Sequence, residues 1–256
     1  MTKDAVALDW LSQILSCSEE FKQALLASND TAKVMWIEDQ TMEKAPRNPK
    51  KISFKNSGTY DMLVNMRNSE NLGVFVDGSY KFPAYGFYYN KGYQEERDLC
   101  LGSPLGMLLP NHSQYVERAR MNNEENGFSY DVIVYNDMPF LTRKADPTAD
   151  MFKAFVVNAS VPDMRLSTKL DGNVAWEERY AATVFAVMEA MYQNGVKNVL
   201  LTDAGCDERG NNVTNAAICW KEYISKYGGN FDSIVFAIRD KDNLNEFKRV
   251  FKDASL

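Results

Sequence analysis

A single histidine, His112, occurs in 256 residues, and the four cysteines, Cys17, Cys100, Cys206 and Cys219, show no C-x-x-C spacing. Without paired spacing among the cysteines and with one histidine, a structural zinc site is not expected, and a Ser-His-Asp or Cys-His mechanism would rest wholly on His112. That residue lies in Pro110-Asn111-His112-Ser113, a turn-like polar stretch that suits a surface histidine. No apolar run approaches the length that spans a bilayer. The opening Met1-Thr2-Lys3-Asp4 leads into an amphipathic run interrupted by Asp9 and Gln13, without the pattern of a signal peptide. Basic residues are outnumbered, 29 against 35 acids; the resulting charge of -6 opposes nonspecific binding to a nucleic-acid backbone. Together these shortages lead us to expect a reduced protein, cytoplasmic or in another reducing soluble compartment, with no membrane partner and no direct nucleic-acid binding; we also expect no metal or other cofactor.

What is present describes a folded chain. Hydrophobic residues make up 45% and charged residues 25%, which excludes general disorder, and the length suits one large domain with a sizeable core. No internal repeat or low-complexity linker divides it. Thirteen tyrosines provide ample stacking surface.

Periodicity orders the elements. Residues 4–28 read as one or two helices, with Ala5, Leu8, Leu11, Ile14 and Leu15 at helical spacing. A short strand is expected at 34–37 and a polar connection at 44–58, where Pro46, Pro49 and several lysines gather. A helix follows near 60–66. Leu72-Gly73-Val74-Phe75-Val76 is a strong strand that ends at Asp77-Gly78. Asn90 is suited to cap a short helix over Glu95, Glu96, Leu99 and Leu101, which Gly102-Ser103-Pro104 stops. Strands are expected at 130–136 and 152–159, a long helix at 176–194, a strand at 199–202, a helix at 213–227, a strand at 233–238 and a helix at 242–251. In the last third strands alternate with helices, which requires parallel strands joined by crossovers.

Open α/β sheets bind ligands beyond the carboxyl ends of their strands. Two loops meet that description, 77–92 and 203–212, and each carries glycines that let backbone amides approach a ligand. The second runs from a strand into a helix, where free N–H groups suit a diphosphate. Alone, Gly205 and Gly210 also fit a tight connection. Likewise Glu95, Glu96, Arg97 and Asp98 alone fit a solvated first helical turn, whose acids complement the dipole. A glycine turn before them and a second glycine loop on a later strand favour a site.

Residues 83–100 resemble the signature of the microbial poly(ADP-ribose) glycohydrolase-like macrodomains: a triple glycine after proline, a spacer, then Gln-Glu-Glu followed by an acid, leucine and cysteine. Here Gln94-Glu95-Glu96 and Asp98-Leu99-Cys100 stand at the expected distance from Pro83. Gly205-Cys206 and Gly210-Asn211 resemble that family's second phosphate loop, and the similarity extends over roughly residues 70–250. The resemblance implies a three-layer α/β/α macrodomain-like fold with a mixed sheet, its core at 69–256 after an N-terminal helical extension at 1–68. It implies Glu96 as catalytic acid/base and Glu95 as the neighbour that orients the distal ribose. Gln94, Asp77, Tyr85, Gly86, Phe87, Gly205, Cys206, Arg209, Gly210 and Asn211 would bind the ligand, which is ADP-ribose or an ADP-ribosylated protein. Phe87, Tyr88 and Tyr93 would either wrap the distal ribose or pack in the core.

Three departures stand out. Ala84-Tyr85-Gly86 occupies the place of three glycines, where a Cβ and a phenol would obstruct a phosphate unless Tyr85 packs on the ligand. Asp207 replaces a usual glycine and would repel a diphosphate. Arg209 replaces a usual aromatic residue and could pair with one. The expected activity is an ADP-ribosyl glycohydrolase, set against a non-hydrolytic ADP-ribose-binding macrodomain acting as reader or scaffold. A different carboxylate set, Asp77, Asp203 and Asp207, remains as another source of catalysis.

Overall fold

The computed structural model describes residues 4–36, 49, 51–79, 84–89, 94–112, 117, 131–165, 176–206 and 209–252. Among the described residues seven strands form one sheet: β1 (Lys33–Trp36), β2 (Lys51–Lys55), β3 (Leu72–Asp77), β4 (Asp131–Leu141), β5 (Met151–Ala159), β6 (Asn198–Leu201) and β7 (Ser233–Ala237). Their spatial order is β1-β4-β5-β3-β6-β7-β2. β1, β4 and β5 pair antiparallel, whereas β5, β3, β6, β7 and β2 run parallel, so the sheet is mixed.

Alternation along each strand divides the core in two, because successive side chains point to opposite faces. On one face Phe75, Val157, Val199, Leu201, Ile234 and Phe236 pack beneath α7 (Trp176–Gln193), α8 (Val213–Tyr227) and α9 (Lys241–Lys252). On the other, Val74, Val76, Val156, Leu200, Val235 and Ala237 meet α1 (Ala5–Gln13), α2 (Glu19–Thr31) and α3 (Thr59–Asn65). The same face carries three short helices, α4 (Tyr85–Tyr89), α5 (Gln94–Leu101) and α6 (Leu105–Leu108). This is a three-layer α/β/α fold. The N-terminal helix docks directly on α5: Trp10 Nε1 donates to Cys100 O at 3.1 Å, and Arg97 pairs with Asp4 at 3.2 Å.

The structure corrects the expected polar connection at 44–58. Lys51-Ile52-Ser53-Phe54-Lys55 is an edge strand parallel to β7. Its exposed terminal lysines are what an edge strand needs to resist pairing with another chain, and they hide its apolar content from a sequence reading. Residues 1–68 thus supply both edge strands as well as α1–α3. A second difference lies in β4, which runs through Pro139 to Leu141 instead of stopping at 136. A register shift between Tyr135 and Met138 absorbs the irregularity, with Asp137 at φ +50°. Asn90, proposed to cap α5, lies outside the described residues, as does most of 110–129.

Candidate active site

The parallel strands β3 and β6 end at Asp77 and Leu201, so both glycine loops rise from the same edge of the sheet, as expected. The expected turn after β3 contains one turn of helix, α4. Its entrance is Ala84, fully buried and at φ +62°, the left-handed conformation that glycine adopts without cost. The alanine therefore keeps a glycine's backbone geometry despite its Cβ.

Glu96, in the first turn of α5, is wholly buried. Its Oε1 accepts the N–H groups of Ser79 (3.2 Å) and Ala84 (3.1 Å), and its Oε2 accepts that of Gly86 (3.1 Å). One acid thus gathers both ends of the segment 79–86. Burial pushes its carboxyl up to about 7, against the opposing pull of the three amides and the Arg209 charge. One turn later on the same helix, the buried Cys100 thiol is pushed well up by burial and by Glu96. It is therefore no nucleophile.

Glu95 and Gln94 face elsewhere. Glu95 Oε2 accepts the Thr59 N–H at 2.6 Å, at the N-terminus of α3, where Gly58 offers no side-chain cap. Its Oε1 pairs with Arg239 Nε. Gln94 Nε2 donates to Asp98 Oδ1 at 2.9 Å. Asp98, 3% exposed, also holds Arg239 Nη2 at 2.5 Å and Lys144 Nζ at 3.2 Å. Sequence reasoning missed Arg239 and Lys144: a near-buried acid requires a cation, but the burial of Asp98 shows only in the fold.

Arg209, expected to meet a diphosphate, is fully buried and bonded within the protein. Its Nη2 lies 3.0 Å from Asp77 Oδ1 and 2.5 Å from Gly78 O, and its Nη1 donates to Val161 O (2.5 Å) and Ser160 Oγ (2.9 Å). It ties the ends of β3 and β5 to the second loop, so the two loops do converge. Within that loop the N–H groups of Arg209 and Asn211 both donate to Gly205 O, and Asn211 Nδ2 donates to Pro162 O at 3.0 Å. Gly205 and Gly210 stand at φ +69° and +67°, and a Cβ on Gly205 would strike Val161 and Asn211. The amides of Gly205 and Gly210 donate to nothing among the described residues. Cys206 is nearly buried, its thiol directed at Ala204 O.

Of the aromatic residues, Phe87 is fully buried in the core beside Gly106. Tyr88 donates to Gly106 O at 3.0 Å. Tyr85 is half-buried, its ring 5.0 Å from that of Tyr89. Asp203 accepts from Asn243 Nδ2 at 2.7 Å; Asp207 and Tyr93 lie outside the described residues. Among the described residues no group of three or more His, Cys, Asp or Glu side chains could hold a metal ion, and no helix is long and apolar enough to cross a membrane.

The sequence matches no protein-family model and no curated protein. Solved structures do match. Poly(ADP-ribose) glycohydrolase from Thermomonospora curvata superposes with a TM-score of 0.78 at 14% identity, covering 96% of this chain and 98% of that one. The enzyme from Deinococcus radiodurans in complex with ADP-ribose gives 0.75 at 17% identity, over 90% and 98%. The Thermomonospora curvata enzyme bound to the inhibitor ADP-HPD gives 0.74 at 14% identity, over 96% and 97%. From end to end of those chains, this protein has the macrodomain-like fold of the microbial poly(ADP-ribose) glycohydrolases.

Proposed function

We propose that the protein is an ADP-ribosyl glycohydrolase that cleaves the C1″ glycosidic bond of ADP-ribose attached to protein or polymer, with Glu96 as acid/base. The observation that carries this reading is the setting of Glu96: a buried carboxyl near pKa 7, beyond the carboxyl end of a central parallel strand. The glycohydrolases of the same fold bind ADP-ribose and ADP-HPD in their complexes. Protonated, Glu96 gives its proton to the oxygen leaving C1″, as an oxocarbenium-like state forms. As carboxylate it then takes a proton from the water that attacks C1″. Three acceptor directions are filled by amides, which leaves one on Oε2 for this exchange. The amides of Gly205 and Gly210, which donate to nothing among the described residues, suit the diphosphate. The same residues, with Asp77, Tyr85 and Asn211 around them, form the proposed ligand site.

Glu96→Gln should abolish release of ADP-ribose from modified protein while calorimetry finds ADP-ribose affinity within a few-fold of wild type. Full release by that variant would refute the assignment.

One observation favours a second reading, a non-hydrolytic ADP-ribose-binding module. Glu96 is 0% exposed and already anchors the turn, as a purely structural acid does. Binding of ADP-ribose by the wild-type protein without any release would establish that alternative.

A further inference from the structure

We infer that Arg239 is a positioning residue: by bridging Glu95 and Asp98 it fixes the rotation of α5 and so aims Glu96 at the turn. Its kinetic consequence rests on the hydrolase reading above; its structural consequence does not.

Glu95 and Asp98 are three residues apart, which places them on one face of the helix. Glu96, one residue on from Glu95, projects about 100° further round, towards Ser79, Ala84 and Gly86. A single ion pair on one face would fix a distance and leave the helix free to roll. Arg239 instead uses two nitrogens of one planar guanidinium, Nε on Glu95 and Nη2 on Asp98, so that rolling breaks at least one contact. The clamp has a firm base. Ile238 N donates to Lys55 O at 2.9 Å, and Asn56 Nδ2 donates to Arg239 O at 2.7 Å, holding the arginine to the β2–β7 edge. Lys144 and the Thr59 amide tether the same two acids from other elements, but each reaches only one of them.

Gly58 offers a second way to break the clamp. Its φ of -72° is open to any residue, yet a Cβ there would fall on the Arg239 guanidinium. Gly58→Ala therefore displaces the guanidinium while every charge is retained.

The test uses the full chain. Amide 1H–15N signals of Ser79, Ala84 and Gly86 report where Glu96 sits, and in the wild type they should titrate together with it. In Arg239→Gln, and in Gly58→Ala, these three signals should move and lose their common titration. Arg239→Lys, which can hold one acid at a time, should fall between. In release assays kcat should drop about 10- to 100-fold, with KM within about threefold. Unmoved amides in both Arg239→Gln and Gly58→Ala would overturn the inference, as would moved amides with unchanged kcat, or KM rising in step with the loss of kcat. If Arg239→Gln fails to fold, Gly58→Ala decides alone. A wild-type protein that releases nothing refutes the hydrolase reading only, because the amide signals still decide the clamp.

Discussion

Arg209 Nη2 lies 3.0 Å from Asp77 Oδ1, a buried ion pair that joins the second glycine loop to the end of β3. The guanidinium is fully enclosed and the aspartate side chain is only 11% exposed, so neither charge can fall back on water.

Removing one partner should therefore be costly. Arg209→Met takes the guanidinium away from Asp77 and also frees the carbonyls of Gly78 and Val161, at about 3–5 kcal/mol. In a chain of this size that lowers the melting temperature on the order of 10 °C. Adding Asp77→Leu should restore part of the loss, as read by circular dichroism. A single variant that melts like the wild type while losing ADP-ribose affinity would instead make Arg209 a ligand contact.

The ionisation of Glu96 should appear in the stability curve. Its ordinary value of 4.5 applies in the unfolded chain and about 7 in the folded one, because burial disfavours the charge. The folded state thus binds a proton there that the unfolded state has lost. Stability from this group is full below about pH 4.5 and disappears as the pH rises through 7, up to about 3 kcal/mol in all. Urea midpoints at pH 5 and 8 should differ accordingly in the wild type, and Glu96→Gln should flatten that difference. An unchanged pH slope in the variant would exclude Glu96 as its source.

Ala84 tests the altered glycine signature. At φ +62° a Cβ costs roughly 1–2 kcal/mol. Ala84→Gly relieves that strain but loosens the unfolded chain by about 0.4–1 kcal/mol, so stability should stay within about 1 kcal/mol of wild type. Ala84→Val places a branched side chain at the same φ in a fully packed position and should cost more than about 2 kcal/mol. Equal melting temperatures for the glycine and valine variants would contradict the strained geometry.

Much of this fold is legible in the chain. The runs at Leu72–Asp77, Asn198–Leu201 and Ser233–Ala237 are buried on both faces, so each reads as an uninterrupted apolar stretch between turn signals. β2 escaped because an edge strand is selected to look polar. At the site, Glu96 was visible through its spacing from the turn, but its complete burial was not, since enclosure depends on where Ser79, Ala84 and Gly86 come to lie. Arg209 looked like a phosphate ligand because nothing local announces that Asp77, on the neighbouring strand, already claims it. Arg239 had no local pattern at all. Its partners are acids on a helix far earlier in the chain.

That distance has a consequence for biosynthesis. Asp98 waits for a guanidinium 141 residues further on, and β2 waits for β7 to give it a neighbour. A chain emerging from the ribosome carries its candidate acid early, with the contacts from Asp4, Trp10, Thr59 and Lys144 but without the Arg239 bridge. Only when residue 239 has been made does the helix bearing Glu96 acquire the contact that spans both of its outer acids. The unfinished chain is then expected to be catalytically silent, whatever part of the sheet has already formed.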